Sequence, residues 1–330
     1  MCCSTPVEFI DIEKRIGVRH GSGFNGHTGK INSVAISSDN KFIISGSEDA
    51  TIRIWDVASG KLGYPLHSMY RTNVLEGHTK GVRSVALSKN DQFIVSGSWD
   101  KTVRLWDRVT GESIKTFCGH SYFVNSVDIS PNNKYIVSSG RKDKTARIWD
   151  VETGECSNVL DIGNDVRSVC FSNDNQFVLT EDYSNNIKLW EVETGNCTTE
   201  IIYANAISSD GKFIVREQVK TLQLVDVETH EIIKEFEGHT TCLASFALSN
   251  NDQWIVSGAG LGDDFVRLWN VETGEQTRLK SGGDLIQNID SVVISADNKY
   301  IVSGACGWGI CLWNVESITS KHVDTANPLQ

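Results

Sequence analysis

One stretch, GHTKGVRSVALSKNDQFIVSGSWDKTVRLWD from Gly77 to Asp107, recurs along the chain and constrains its fold more than any other feature. Within it, Val82, Ser84 and Ala86 face one way while Arg83, Val85 and Leu87 face the other. The same alternation returns in 93–96 and in 103–106. A period of two over such short runs predicts strands. Lys89-Asn90-Asp91 and Trp99-Asp100-Lys101 supply turn chemistry between them.

The copies run from Gly26-His27 to Trp55-Asp56, from Gly119-His120 to Trp149-Asp150 and from Gly238-His239 to Trp269-Asn270. Weaker ones close at Trp190-Glu191, Val225-Asp226 and Trp313-Asn314. With the closing residues at 55, 106, 149, 190, 225, 269 and 313, the period is roughly 43 residues. Opening Gly-His and closing Trp-Asp at that period resemble the WD-repeat β-propeller family from about residue 26 to 316. The resemblance implies an all-β fold, a seven-bladed β-propeller of four-stranded antiparallel blades, its ring closed by the N-terminal segment. Three segments follow: 1–25 with a closing strand, the propeller at 26–316, and a polar tail at 317–330. By the same resemblance, 14–20 forms the outer strand of the last blade, because closure pairs backbone groups otherwise left on an open edge.

Net charge is −11, from 42 acidic and 31 basic residues, which disfavours general nucleic-acid binding. No apolar run approaches the roughly 20 residues that span a bilayer, so membrane insertion is not expected. The start MCCSTPVEFI lacks the order of a signal peptide. Nine cysteines without metal spacing, several inside strand patterns (Cys170, Cys242, Cys311), point to reduced core thiols. The expected compartment is the cytoplasm, with the nucleus as the alternative, and no metal or cofactor is expected. Cys2-Cys3 offers a palmitoylation site without a second anchoring signal, and Cys2 rules out N-myristoylation.

Some copies depart from the pattern. Residues 61–76 lengthen the connection between the first two copies, and Tyr64, Met69 and Tyr70 make it a candidate contact loop. The fourth copy opens with Gly163-Asn164, and the fifth needs 201–208 as its first strand. The sixth carries an expansion at 260–264. Hairpins such as SKNDQ and SADNK lack the distal Glu of a calcium loop.

In the family, the His after Gly, a Ser or Thr of the second strand, an Asp of the next turn and the closing Trp form a hydrogen-bonded chain. By position this implies His27, Ser45, Asp49 and Trp55 in the first copy and His78, Ser96, Asp100 and Trp106 in the second. It implies His120, Ser138, Asp143 and Trp149 in the third, and His239, Ser257, Asp263 and Trp269 in the sixth. Ser, His and Asp together also suggest a hydrolase. A catalytic set is built once, however, and this one is written four times, so the set is structural and no catalytic residue is assigned. The other copies are incomplete, with Asn164, Thr180 and Ser184, with Val215 and Val219, and with Asp284 and Gly307.

Function then falls to positions the repeat leaves free. The family's frequent contact positions carry over to Lys30, Asn32, Glu48, Arg83, Trp99, Phe123, Asn125, Lys142, Arg167, Tyr183, Tyr203 and Asp290. Of these, Arg83, Trp99, Phe123, Lys142, Arg167 and Tyr183 are types that dominate binding hot spots, and Trp99 has no evident core role in its turn. They predict a docking site over blades two to four for proteins or peptides, with the cations preferring acidic or phosphorylated partners. The expected function is a non-catalytic scaffold, monomeric within a larger complex. The alternative is a dedicated subunit of one machine, like the G-protein β subunit or a ribosome-associated scaffold. A propeller-borne enzyme ranks behind both.

Overall fold

A computed structural model describes residues 9–10, 14–16, 26–57, 74–172, 174–184, 186–202, 206–208, 212–229, 231–260, 262–263, 265–280, 289–305 and 310–318. Their strands form seven sheets, each built on four antiparallel strands: the blades of a β-propeller. Burial grades across each blade. In blade two the second strand (Phe93–Ser98) is almost wholly buried, while the fourth (Ser113–Cys118) exposes all but Lys115 and Phe117. Second strands therefore read as continuous apolar and small residues, because both of their faces meet neighbours.

The chain divides into two compact units. The unit Asn25–Asn205 holds blades one to four. Blade one comprises Ile31–Ile36, Phe42–Ser47, Ile52–Asp56 and Val74–Leu75. In blade two, Val82–Leu87 and Thr102–Asp107 accompany the two strands already given. Blade three comprises Val124–Ile129, Tyr135–Gly140, Thr145–Asp150 and Cys156–Asp161. Blade four comprises Val166–Phe171, Phe177–Asp182, Asn186–Glu191 and Cys197–Ile202.

Adjacent blades share cores: Ile44, Ile52 and Ile54 of blade one pack with Val82, Val85 and Trp106 of blade two. The approach is close enough that a Cβ on Gly97 would lie 2.5 Å from Val124 Cγ1, so that strand position has no room for a side chain. Two hydrogen-bonded staples recur between blades. Near the middle of the first strands, Ser33, Ser84 and Ser126 hydroxyls accept the N–H groups of Val85, Val127 and Val169, at 3.1, 3.1 and 3.2 Å. In the hairpins, Asp91 and Asn175 accept the backbone N–H of Ser38 and Asn132 in the preceding blade. Both acceptors stand at left-handed φ values of 57° and 64°, which Asn and Asp tolerate.

The second unit, 206–330 with 1–24, holds blades five to seven. Blade five opens with only Ala206–Ile207 and continues through Phe213–Gln218, Thr221–Asp226 and Ile232–Phe236. The expected first strand at 201–208 is corrected, because Ile201 and Ile202 pair with Ile187 and Asn186 as the outer strand of blade four. Blade six comprises Leu243–Leu248, Trp254–Ala259, Phe265–Asn270 and Gln276–Lys280. Blade seven comprises Ile289–Ile294, Tyr300–Ala305 and Ile310–Asn314, and its outer strand is Lys14–Ile16, antiparallel to Ile310–Leu312. Residues 17–20 of the anticipated closing strand lie outside the described residues.

Phe9–Ile10 adds a parallel fifth strand to blade six, against Arg278 and Leu279. Beyond blade seven, Val315 and Ile318 (1% exposed) join Leu279, Ile289 and Trp313 in one core, so the chain stays attached through 318. Among the six described cysteines only Cys311 is buried, which corrects the expectation of core thiols. Among the described residues no helix is long and apolar enough to cross a membrane.

Candidate functional site

The four complete Ser–His–Asp–Trp sets share one geometry. In blade two, Trp106 Nε1 donates to Ser96 Oγ at 2.8 Å, Ser96 meets His78 Nε2 at 2.7 Å, and His78 Nδ1 meets Asp100 Oδ2 at 2.7 Å. The corresponding distances in blade one are 2.8, 2.7 and 2.9 Å. In blade three they are 2.7, 2.7 and 2.6 Å, and in blade six 2.8, 2.7 and 3.0 Å. The ends fix the direction of the chain. Indole only donates and carboxylate only accepts, so a neutral imidazole carries its proton on Nδ1 and accepts the serine hydroxyl at Nε2.

Each serine is wedged between Trp and His and is fully buried, so it has no face toward a substrate. Burial alone would raise the Asp49 and Asp100 carboxyls, but hydrogen bonds from His27 and His78, with help from Thr51 and Thr102, hold them below the usual range. Burial likewise holds His27 below its ordinary value, against the pull of Asp49. The opening glycine is required by space: Gly77 has φ 152°, and a Cβ there would lie 3.2 Å from the Trp106 ring.

Incomplete sets resolve differently. In blade four, Asn164 and Asn186 donate to Asp182, and Trp190 donates to Thr180. The acid is thus Asp182 rather than Ser184, whose N–H bonds to that same carboxylate. Blade five replaces both Ser and Trp by the buried Val215 and Val225. Blade seven keeps Ser303 and Trp313, yet neither Ser303 Oγ nor Trp313 Nε1 has a partner among the described residues. Asp284 and Gly307 lie outside the described residues.

Blade six adds a buried arginine. Arg267 bonds both oxygens of Asp263 at 2.9 and 2.8 Å and the Gly238 carbonyl at 2.8 Å. In blades two and three this arginine stacks beside its tryptophan, with Arg104 5.7 Å from the centre of a Trp106 ring and Arg147 6.0 Å from that of Trp149. In blade six Gln276 occupies the place next to Gly238, and Arg278 stands opposite Arg267 in the ladder, so Arg267 turns inward. Its sequence position matches Arg53, Arg104 and Arg147, and carries no signal of the difference.

On the surface of blades two to four, the ring centroids of Trp99 and Phe123 lie 6.0 Å apart, and those of Phe123 and Tyr122 4.4 Å apart. Lys142 Nζ sits 5.2 Å over Tyr122, and the Arg141 guanidinium 4.9 Å over Tyr183, itself 44% exposed. Arg83 reaches Asn125 and Asn32, and Asn125 bonds the Arg167 carbonyl. Thus Arg83, Trp99, Phe123, Lys142, Arg167 and Tyr183 are linked through near neighbours. Arg167 differs from its expected role, because Glu181 Oε1 lies 3.2 Å from Nη1 and already answers its charge.

The repeat position does not single out Tyr122 and Arg141, although the doublets Tyr122-Phe123 and Arg141-Lys142 are visible in the sequence. In blade one, Lys30 and the exposed Glu48 meet through a backbone bond, and Asp290 belongs to the other unit. Tyr203 and the loop bearing Tyr64, Met69 and Tyr70 lie outside the described residues.

A different chemistry stands between blades three and four. The Asp128 carboxylate accepts the N–H groups of Phe171 and Ile129, both at 2.8 Å. Crowding by surrounding protein atoms pushes its carboxyl up to about 6 and the neighbouring Cys170 thiol up to about 12, although water still reaches the surfaces of both residues. A thiol raised that far is a poor nucleophile at neutral pH. Among the described residues no group of His, Cys, Asp and Glu converges to hold a metal.

A family model described as "WD domain, G-beta repeat" matches residues 19–56, 69–107, 111–150, 154–191 and 230–270. Autophagy-related protein 16 of Arabidopsis thaliana is 22% identical over 96% of this chain and 54% of its own length. The small ribosomal subunit protein RACK1 of Caenorhabditis elegans is 41% identical over 28% of this chain and 29% of its own. A guanine nucleotide-binding protein subunit beta of Zea mays is 38% identical over 32% of this chain and 28% of its own. The chain spans about half, or less, of the length of these relatives.

Proposed function

This chain belongs to the WD40 repeat family, and on that premise we propose that it is a non-catalytic interaction scaffold with its docking face over blades two to four. One observation carries the proposal: Trp99, Phe123 and Tyr122 form an aromatic cluster outside the blade cores, bordered by Lys142, Arg141 and the exposed Tyr183. Large aromatic area beside cations is the composition of interface hot spots. The repeated serines and histidines are consumed in buried chains, which leaves the face for recognition. Relatives that bear the word subunit in their names support membership of an assembly. The partner is a protein or peptide with acidic or phosphorylated residues, met in the cytoplasm or nucleus, and the chain joins it as a single copy.

The test is affinity purification from the native cell, comparing wild type with Trp99→Ala/Phe123→Ala and verifying by thermal melting that the variant is folded. Proteins captured by wild type and lost from the folded variant are the expected result. Identical partner sets would refute the assignment of the face.

A further inference from the structure

Arg167, Lys142 and Arg83 of the docking face differ in their surroundings. Arg167 is neutralised by Glu181, and Lys142 caps the Tyr122 ring. Arg83 differs from both. It is partly buried, and its hydrogen bonds run to two neutral oxygens, Asn125 Oδ1 from Nε and Asn32 Oδ1 from Nη1, each at a long 3.3 Å. Among the described residues no carboxylate pairs with it.

The two asparagines are themselves fixed. Asn32 Nδ2 donates to the Val82 carbonyl at 2.9 Å, and Asn125 Nδ2 donates to the Arg167 carbonyl at 2.6 Å. Those bonds spend both amide N–H₂ groups on backbone and turn both amide oxygens toward Arg83. Residues 32, 83, 125 and 167 are the second residues of four successive first strands, so the clamp is a row across blades one to four. A guanidinium has five N–H groups in a rigid fork, and the clamp uses two of them.

We infer that the Asn32–Arg83–Asn125 clamp is a seat for one anionic group, a carboxylate or phosphoryl, carried by a partner peptide beside an apolar side chain that packs on Trp99 and Phe123. The inference rests on the docking face proposed above and assigns its charge recognition to a single residue. Local electrostatics favour it on a chain of net charge −11. Lys80, Lys101, Arg141, Lys142 and Lys144 are exposed in the adjoining turns. The acids of those same turns, Asp100 and Asp143, are taken up by His78 and His120. Such a cation, oriented before binding and lacking a counter-ion, gains charge-assisted bonds without first breaking an internal pair. Phe123 precedes Asn125 by two residues, so the apolar contact and the seat share one stretch of chain.

The test is a double-mutant cycle on peptides. A library of short immobilised synthetic peptides, with Glu, Gln, phosphoserine, phosphothreonine or phosphotyrosine at each position, is probed with wild type, Arg83→Gln, Arg167→Gln and Trp99→Ala. Selected peptides are expected to share one anionic position whose neutral replacement weakens wild-type binding about tenfold or more, and Arg83→Gln by little. Arg167→Gln should retain the wild-type discrimination. The stronger of the Glu and phosphoryl arms identifies the anion. Should Arg83→Gln melt early, Asn32→Ala/Asn125→Ala, which leaves the charge but unseats it, is expected to show the same loss. Discrimination that persists without Arg83, or vanishes with Arg167→Gln, overturns the seat. If binding still depends on Trp99 in that case, the docking face stands; peptide binding indifferent to Trp99→Ala overturns the face as well.

Discussion

Ser96 and Ser303 occupy equivalent places in blades two and seven, both fully buried, and the same substitution should affect them in opposite ways. Ser96→Ala removes a hydroxyl that accepts from Trp106 Nε1 and bonds His78 Nε2. The cavity left by one oxygen admits no water with enough partners, so the indole N–H and the imidazole nitrogen are left unpaired in the core. At about 1–3 kcal/mol for each of the two unsatisfied groups, the cost is about 2–6 kcal/mol. Ser303→Ala removes a hydroxyl that has no partner among the described residues, opposite an indole N–H in the same condition. Nothing is lost there and a buried polar group is relieved, so stability should stay within about 0.5 kcal/mol or rise. Ser96→Thr is the control, because Thr180 takes the indole proton of Trp190 at 2.9 Å in blade four. Urea unfolding followed by tryptophan fluorescence gives the midpoints. Equal losses for the two alanine variants, or a threonine variant as weak as Ser96→Ala, would refute the reasoning.

Two further stability predictions concern local strain and charge. Val219 is a β-branched residue at φ 59° and 63% exposed, where other turns place Asn, Asp, Lys or Ala; Val219→Asn should stabilise by about 1 kcal/mol, and an unchanged melting temperature would count against strain there. Asp128 has its carboxyl raised from 3.8 to about 6, so the folded form favours the proton, and its contribution is lost as pH rises through that window. The rise is worth at most about 3 kcal/mol, and partial access to water reduces it to about 1. Asp128→Asn should therefore gain on wild type in melts above pH 6 and lose that advantage below 3.8, whereas a pH-independent difference would remove the charge argument.

The fold was legible because each blade repeats one solution to one packing problem. The short alternating runs mark the strands, but Val82 and Val85 both enter the core because the ladder shifts register between Val82 and Ser84, and Trp106 packs with them against blade one. The serine staples were equally visible in principle, since 31–34, 82–85, 124–127 and 166–169 all carry Ser third. A hydroxyl at that position reads as polar and solvent-facing until the adjacent blade is in place to donate to it. Placement failed where a segment had two possible partners. Ile201 and Ile202 suit either a first strand of blade five or a last strand of blade four, and only the pairing with Ile187 and Asn186 decides.

Departures from the repeat cannot be ranked by counting missing letters, because polar groups matter in pairs. Blade five has lost serine and tryptophan together to Val215 and Val225, both buried, and therefore leaves no donor stranded at that site. Blade seven looks closer to the pattern, having kept Ser303 and Trp313, yet the Ser303 hydroxyl and the Trp313 indole N–H both lack a partner among the described residues. The same logic applies on the surface. Arg83 and Arg167 are indistinguishable as letters at one repeat position, but Glu181 stands beside one and two neutral amides beside the other. What a charged residue of this face can recognise is set by what its neighbours have left unanswered.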